Sequence, residues 1–416
     1  MGEPSKDKTR LVFIFICCFF SSLFGGTVST LMSVYLPVAV RELLTGGQSA
    51  GLDNIGAYIS SVFIYGWMAG GIVWGVLGDR IGRKRSFIYS TLFYGVFTMV
   101  TGFANSWVGV MICRFLTGFG VGGVLVTTTI LVSEAFRDRR RAVMLGILSI
   151  SVPLGIFSAG MINYFIASWR YGFSVGILPV LVALFSFRLI RLPDPLSAGP
   201  AGNDPLTTNL DSSGQGLFGS SIRKNLVAGS VIFGSALIGL WATFSWLPSW
   251  IQGLLVHSDG QKERGLAMML MGGGGLLGGF ASGWIVNGFG IRRTMITCFA
   301  ACFVLSFTLF RLTTVLSYSV YGQIAVLAFF FGVSQGALSV FIPQLFPQRV
   351  SASATGFCFN IGRLFTATIV FFIGSLVDLL GGYGHAVFTF SFVFLIGLVA
   401  TWQFGRENYS ITPQKA

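Results

Sequence analysis

Two arginines, Arg114 and Arg363, lie inside long apolar stretches of the sequence, where a charged side chain is costly and usually functional. No Asp or Glu lies near the centre of these stretches to neutralise them. Since a guanidinium binds a carboxylate through two parallel hydrogen bonds, the pattern predicts a site for an anion. Arg363 is the stronger candidate for this contact or for gating, the alternative being hydrogen bonds to helix carbonyls. For Arg114 a structural or coupling role is an equal alternative.

Further polar and aromatic residues are candidates for the lining of the same site. Asn360 precedes Arg363 by three residues, so both are expected on one helical face. Another helical face is predicted to carry Trp241, Ser245, Pro248 and Gln252. Pro248 should bend that helix, because proline removes a backbone hydrogen bond. Weaker candidates, for which core packing is the more common role, are Tyr35, Tyr65, Gln335 and Ser339.

The elements that must position these residues are membrane-spanning helices. Of the 416 residues 53% are hydrophobic and only 10% are charged, and the apolar residues form blocks. About 20 apolar residues in a helix cross the roughly 30 Å of hydrocarbon in a bilayer. No block alternates with the period of a membrane barrel, and the first block is expected to be retained rather than cleaved as a signal peptide. Twelve spans are predicted, at 11–40, 55–78, 86–104, 107–133, 142–166, 171–190, 224–251, 265–287, 294–312, 320–344, 354–377 and 385–404.

The positive charges predict the orientation of the chain. Most of the 27 Lys and Arg residues fall in cytoplasmic segments if both termini are cytoplasmic, and the opposite orientation would reverse this bias. The net charge of +13 is therefore mainly a topology signal rather than a footprint for nucleic acid. We expect a multi-pass protein of the cytoplasmic (inner) membrane whose surroundings are lipid and which binds no nucleic acid.

Few residues suit enzymatic chemistry. All six Cys lie inside apolar blocks, which disfavours disulfides and a zinc site. The two His lie in separate segments, and no phosphate-binding loop is present. We therefore expect no enzyme, no cofactor, no bound metal and no ATP-driven pump. A transporter-like sensor remains an alternative.

Several sequence elements recur half a chain apart. With a shift of 208 residues, Gly70-Gly71-x3-Gly75-x3-Asp79-x2-Gly82-Arg83 aligns with Gly278-Gly279-x3-Gly283-x3-Asn287-x2-Gly290-Ile291. A shift of 210 aligns Ala142 with Ala352 and Gly146 with Gly356. The repeat predicts two related six-helix halves, at 1–191 and 224–416, joined by a Gly/Pro/Ser-rich cytoplasmic linker at 192–223.

The segment Gly75-Val-Leu-Gly78-Asp79-Arg80-Ile-Gly82-Arg83-Lys84 resembles the loop 2–3 signature of the major facilitator superfamily, and Arg114-x3-Gly118-x-Gly120-x-Gly122 resembles its fourth-helix motif. The resemblance implies two six-helix bundles that rock about a central cavity, and we expect a monomer. It also implies a cytoplasmic latch that holds the halves together, although ordinary positive-inside charge would explain the basic residues alone. The predicted latch residues are Gly75, Asp79, Arg80, Gly82, Arg83, Glu134 and Arg137. In the second half Asn287 and Ile291 replace Asp and Arg, so that copy should be weaker.

Three further segments, Trp246-Leu-Pro248, Leu345-Phe-Pro347-x-Arg349 and Gly356-Phe-Cys-Phe-Asn360-x-Gly362-Arg363, are similar to the branch that includes sialate, lactate and aromatic-acid symporters and organic anion carriers. This similarity implies secondary active or facilitative transport of a small carboxylate by alternating access. The acidic residues usual in the first and fourth helices of such symporters are absent from Phe24–Thr27 and Gly122–Val124. A coupling proton or ion, uniport and anion exchange all stay open, as do a sugar or a drug as substrate. Two buried arginines suit a neutral sugar poorly.

Overall fold

The structure is a computed structural model that describes residues 3–44, 51–136, 138–189, 220–255, 260–347 and 350–404. Within these ranges the secondary structure is helical. The helices are α1 Glu3–Leu43, α2 Leu52–Ile81, α3 Arg83–Thr101, α4 Trp107–Ala135, α5 Asp138–Phe165, α6 Trp169–Gly172, α7 Ile177–Leu189, α8 Ser220–Leu254, α9 Gln261–Phe289, α10 Ile291–Leu312, α11 Tyr318–Gln344, α12 Ser351–Leu380 and α13 Tyr383–Phe404.

The predicted all-helical membrane fold is confirmed. Eleven helical segments of the described chain are long and apolar enough to cross a bilayer. The polar exception is α3, which begins with Arg83-Lys84-Arg85 and completes the twelve predicted spans. The predicted span 171–190 corresponds to one apolar segment, Trp169–Arg188, in which α6 and α7 are separated by a 3-10 turn at Phe173–Gly176. Apolar composition predicts that a segment crosses the bilayer, but it does not show this local tightening of the helix.

Two repeat-related glycines make the sharp turns between consecutive helices. Gly82 separates α2 from α3 with φ 92°, and Gly290 separates α9 from α10 with φ 80°. Backbone at these positive φ values strains any residue with a Cβ, so glycine is required at both turns. The turns lie 208 residues apart, as the predicted repeat demands.

Contacts between helices follow the two-bundle arrangement. Within the described part, α1 to α7 pack around one another, α8 to α13 do the same, and the two bundles meet mainly where α2 packs on α12 and α5 packs on α9. By the repeat, α2 is equivalent to α9 and α5 to α12, so these two interfaces are related by the pseudo-symmetry. Residues 190–219 lie outside the described part, and the exact boundaries of the two halves and linker stay a prediction.

Glycines bring helix backbones close together inside the first bundle. A Cβ on Gly66 would lie 2.1 Å from the carbonyl oxygen of Phe115, and one on Gly122 would lie 2.1 Å from that of Trp67. These positions lie on α2 and α4, and such contacts tolerate no side chain larger than hydrogen. The middle of α2 is therefore fixed to its own bundle through backbone contact.

Candidate functional site

A cavity of about 720 Å³ lies between the two bundles. It is lined by α1, α2, α4, α5, α8, α9, α11 and α12, whereas α3, α7, α10 and α13 lie outside it. The end of the protein that carries the helix turns rich in Lys and Arg is called the basic face here. Its residues include Arg80, Arg83, Lys84, Arg140, Arg141 and Arg293. The other end is called the opposite face.

Contacts between the bundles seal the cavity from the opposite face. On one side α2 meets the end of α12: Asn54 Nδ2 donates to Asp378 Oδ2 at 3.4 Å, and Ser375 Oγ donates to Asn54 Oδ1 at 2.9 Å. Beside them the Tyr383 hydroxyl donates to Asp53. On the other side, a Cβ on Gly160 of α5 would lie 2.5 Å from the carbonyl oxygen of Gly265 on α9. The opposite face is closed by backbone-to-backbone packing and polar contacts.

The cavity is open toward the basic face. Its lining there includes Gly146 of α5 and Gly279 and Gly283 of α9. A Cβ at any of these three glycines would meet nothing within 4 Å. Since the same two helices touch through glycines at the opposite face, the bundles diverge toward the basic face.

Arg363 contributes the one charged side chain among the described lining residues. It lies on α12, is half-buried, and makes no hydrogen bond or ion pair with any residue that the structure describes. Its guanidinium carbon lies 5.5 Å from the ring centroid of Trp67 on α2. Beside it, Gly362 lets α12 approach α8: a Cβ there would lie 2.6 Å from the Phe233 ring. An anion that enters the cavity therefore meets an unpaired guanidinium.

Arg114 has a different environment from the one predicted for a substrate ligand. Its Nη1 and Nη2 donate to the carbonyl oxygens of Val28 at 3.0 Å and Ser29 at 3.2 Å, and its guanidinium lies 4.1 Å from the Phe63 ring centroid. The side chain is 2% exposed and does not line the cavity. Helix carbonyls already hold the guanidinium, and direct contact of Arg114 with a substrate stays a prediction. The geometry favours the structural alternative.

Three of the remaining candidates line the cavity: Trp241, Gln335 and Ser339. Four others do not, and are corrected here. Tyr35 is fully buried and donates to the carbonyl of Ile166, while the Tyr65 hydroxyl bonds the Thr368 hydroxyl at 2.8 Å. Asn360 donates to the carbonyl of Gly356 on its own helix, and Ser245 is buried away from the lining. Helical periodicity placed Asn360 and Ser245 on a face but did not show which neighbour covers it, and for Tyr35 and Tyr65 the structure agrees with the packing alternative.

Most polar groups in the lining are already satisfied by their own helices. The hydroxyls of Ser29, Thr30 and Ser339 donate to backbone carbonyls three or four residues earlier. The amide nitrogen Nε2 of Gln335, by contrast, is buried and has no hydrogen-bond partner. Buried donors without partners are rare in folded proteins. Gln335 is therefore a second polar residue of the lining, besides Arg363, that has hydrogen-bonding capacity not used within the described part of the chain.

The sequence matches the family model described as Major Facilitator Superfamily over residues 14–367, most of the chain. The chain belongs to the major facilitator superfamily. It is 26% identical over 94% of its length to a probable 4-methylmuconolactone transporter of Cupriavidus pinatubonensis, covering 88% of that protein. It is 25% identical over 87% of its length to a 3-(3-hydroxy-phenyl)propionate transporter of Escherichia coli, covering 86% of it.

A solved structure of the xylose transporter XylE from E. coli, in an inward-open conformation, has the same fold. It superimposes with a TM-score of 0.76 at 15% identity, covering 95% of this chain and 96% of that one. At this identity the likeness shows the fold alone. The predicted superfamily and its twelve-helix architecture are confirmed.

Three of the predicted latch residues, Asp79, Arg83 and Glu134, lie together on the basic face. Arg83 pairs with Asp79 at 2.5 Å and approaches Glu134 at 3.7 Å, so the cluster joins α2, α3 and α4. Arg80 is exposed, Gly82 makes the turn described above, and Gly75 packs loosely on α4. Arg137 lies outside the described residues. In the described part all these contacts stay within the first bundle, so the contact between the bundles remains a prediction.

Sequence reasoning missed Trp67. Its indole lines the cavity, contacts Arg363 as described, and lies 5.5 Å from Trp241 in an edge-to-face arrangement. Phe233 and Phe359 stack nearby with centroids 4.3 Å apart. Trp67 is a tryptophan deep in a predicted span, the same signal that singled out Trp241. The lining around Arg363 is thus aromatic as well as cationic.

No cysteine, histidine or acidic residue is among the described residues that line the cavity. In the part of the chain that the structure describes, no group of three or more His, Cys, Asp or Glu could hold a metal ion. All six cysteines are buried and unpaired. The recognition groups of the cavity are therefore a guanidinium, an amide and aromatic rings.

Proposed function

We propose that this protein carries a small organic carboxylate, with an apolar or aromatic body, across the cytoplasmic membrane by alternating access. One observation supports this most: the unpaired Arg363 guanidinium is the single charge among the described residues that line an otherwise apolar, aromatic cavity. An uncompensated cation at membrane depth is costly, and a substrate carboxylate would compensate it. The similarity to a 3-(3-hydroxy-phenyl)propionate transporter points to the same class of substrate.

Charge distribution supports a cytoplasmic location for the basic face. Lys and Arg are enriched in cytoplasmic loops of membrane proteins, and the basic face carries the clustered positive residues named above. Both termini are then cytoplasmic. Because the cavity opens toward the basic face and is sealed at the other, the structure is the inward-facing state in this proposal.

Recognition of the substrate uses three features of the lining. The Arg363 fork binds the carboxylate through charge-assisted hydrogen bonds. The rings of Trp67 and Trp241 contact the apolar body, and the Gln335 amide donates to a hydroxyl or carbonyl group on it. A neutral sugar would leave Arg363 uncompensated, so a carboxylate fits this lining better.

Proton coupling through a carboxylate in the cavity is not part of the proposal. The described lining contains no Asp or Glu. A lining with one guanidinium as its single described charge is compatible with three modes of transport. These are uniport, exchange of one organic anion for another, and entry of a proton with the substrate acid. The cycle therefore depends on charge carried by the substrate itself.

Binding to the purified protein tests the proposal. We expect benzoate and 3-(3-hydroxyphenyl)propionate to raise the melting temperature of the wild type, whereas xylose does not. Arg363→Gln should weaken their binding by about 10- to 100-fold, the loss expected for hydrogen bonds to a charged group.

The matched control is Arg293→Gln, which removes an exposed arginine from the basic face and should leave binding unchanged. Stabilisation by xylose but not by either carboxylate would contradict the proposal. So would carboxylate binding that is equal in wild type and Arg363→Gln.

A further inference from the structure

Contacts between α2 and α12 form a ladder that runs from the opposite face to the cavity. Below the polar contacts of Asn54 with Ser375 and Asp378, the rings of Tyr58 and Phe371 stack with centroids 4.4 Å apart. The Tyr65 and Thr368 hydroxyls follow at 2.8 Å. The innermost rung is Trp67 against the Arg363 guanidinium, and it is the one rung of the ladder that lines the cavity.

The two partners of this rung are fixed to different bundles. The Trp67 backbone packs against α4. A Cβ on Gly118 would lie 3.1 Å from the Trp67 nitrogen, and one on Gly122 would lie 2.1 Å from the Trp67 carbonyl oxygen. Arg363 follows Gly362, whose backbone packs on the Phe233 ring of α8. Since each backbone is tightly packed within its own bundle, a movement that carries α12 away from α2 at this level separates the guanidinium from the indole.

We propose that Trp67 is a positioning residue that couples the charge on Arg363 to the conformation of the carrier. In the empty inward-facing protein the indole face stabilises the bare guanidinium, a cation–π contact that is strengthened away from water. Opening the outer face separates the pair and leaves the guanidinium uncompensated. The empty carrier is therefore held in the inward-facing state.

A bound anion changes the equilibrium between the inward- and outward-facing states. This step of the inference rests on the proposed function. A carboxylate bound to the edge of the guanidinium neutralises its charge and weakens the attraction to the indole. The loaded carrier then opens outward at lower cost than the empty one. A ligand shifts such an equilibrium only through its different interaction with the two states, and the loss of the cation–π contact supplies that difference.

The test measures the conformation of the ligand-free full-length protein, so it does not depend on which substrate is carried. Spin labels at Phe103→Cys and Val315→Cys report on outer loops of the two bundles, where both side chains are exposed (79% and 70%) and the native cysteines are buried. Distances between the labels give the ratio of inward- to outward-facing protein. Trp67→Leu should lower that ratio by about 5- to 30-fold, the range corresponding to a partly to fully desolvated cation–π pair.

Two controls separate the cation–π contact from packing. Tetrafluorotryptophan at position 67 keeps the shape of the indole but removes most of the negative potential of its face, and it should shift the ratio in the same direction as Trp67→Leu. In an Arg363→Gln background, Trp67→Leu should have little further effect, because the pair is already broken. An unchanged ratio with the fluorinated ring, or an equal shift by Trp67→Leu in both backgrounds, would overturn the inference. Neither result depends on carboxylate binding, so a failure of the proposed function can be told apart from a failure of this inference.

Discussion

Arg114 and Arg363 carry the same guanidinium in two different environments. Carbonyls of α1 hold Arg114, which is sealed from the cavity, whereas Arg363 lines the cavity without a hydrogen-bond partner in the described part of the chain. A buried charge that donates to helix carbonyls stabilises the packing of its neighbours, and one without such bonds is available to a ligand. The two arginines should therefore respond differently to substitution.

Arg114→Gln is expected to damage stability rather than binding. The substitution breaks two charge-assisted hydrogen bonds between α4 and α1 and should lower the free energy of unfolding by about 2–4 kcal/mol. Thermal unfolding in detergent measures the loss. The folded fraction should still bind benzoate with nearly the affinity of the wild type. A stable Arg114→Gln protein that no longer binds benzoate would show that Arg114 contacts substrate after all.

Gln335→Leu is expected to change selectivity. Because Gln335 Nε2 is a buried donor without a partner, a hydroxyl on the substrate is a suitable acceptor for it. The substitution should weaken binding of 3-(3-hydroxyphenyl)propionate by about 3- to 10-fold, the contribution of one neutral hydrogen bond. Binding of 3-phenylpropionate, which lacks the hydroxyl, serves as the control and should change little. Equal losses for both compounds, measured by titration calorimetry, would argue against this role.

The sequence predicts the centre of the site better than its surroundings. Arg363 stands out because a charge within an apolar span is rare and needs a reason. Trp67 does not stand out, because its contact with Arg363 depends on how α2 and α12 are aligned across the bundle interface. Asn360 is a candidate ligand from periodicity, yet its amide donates to the carbonyl of Gly356 on its own helix.

At the scale of helices, α5 and α9 show how the same pair of elements closes one face and opens the other. Near the opposite face their glycines are in backbone contact, and near the basic face their glycines have no neighbour within 4 Å of a Cβ position. Glycine allows close packing of membrane helices in general. Which glycines pack depends on the conformational state, and this is why the sequence alone could not separate Gly160 from Gly146.

A pair of alanine substitutions tests this difference. Gly160→Ala places a methyl group 2.5 Å from the carbonyl oxygen of Gly265, so it should loosen the sealed face and increase the outward-facing population. Gly146→Ala meets nothing within 4 Å and should not increase that population. Both substitutions replace glycine by alanine and raise helix propensity by a similar amount. Gly146→Ala therefore controls for the effect of helix propensity in Gly160→Ala. The spin-label pair at positions 103 and 315 measures the effect. Equal responses would show that the glycine contact does not seal this face.

At the scale of the whole molecule, the repeat in the sequence predicts the architecture well. Segments 208 residues apart both end a helix, turn at a glycine with positive φ and begin the next helix. The pseudo-symmetry then makes α2–α12 and α5–α9 equivalent interfaces. The direction in which the cavity opens does not follow from the repeat, because a symmetric pair of bundles is compatible with either opening. Side-chain and backbone contacts at the two faces determine it.

The central claim is that Arg363 selects an organic carboxylate for transport, and flux through reconstituted protein tests it most directly. Proteoliposomes with wild type, Arg363→Gln or Arg293→Gln are loaded with unlabelled 3-(3-hydroxyphenyl)propionate, and entry of the labelled compound is followed. We expect flux with wild type and Arg293→Gln, a loss of at least about tenfold with Arg363→Gln, and no flux of labelled xylose with any of them. Xylose flux that survives Arg363→Gln, without carboxylate flux in the wild type, would contradict the account.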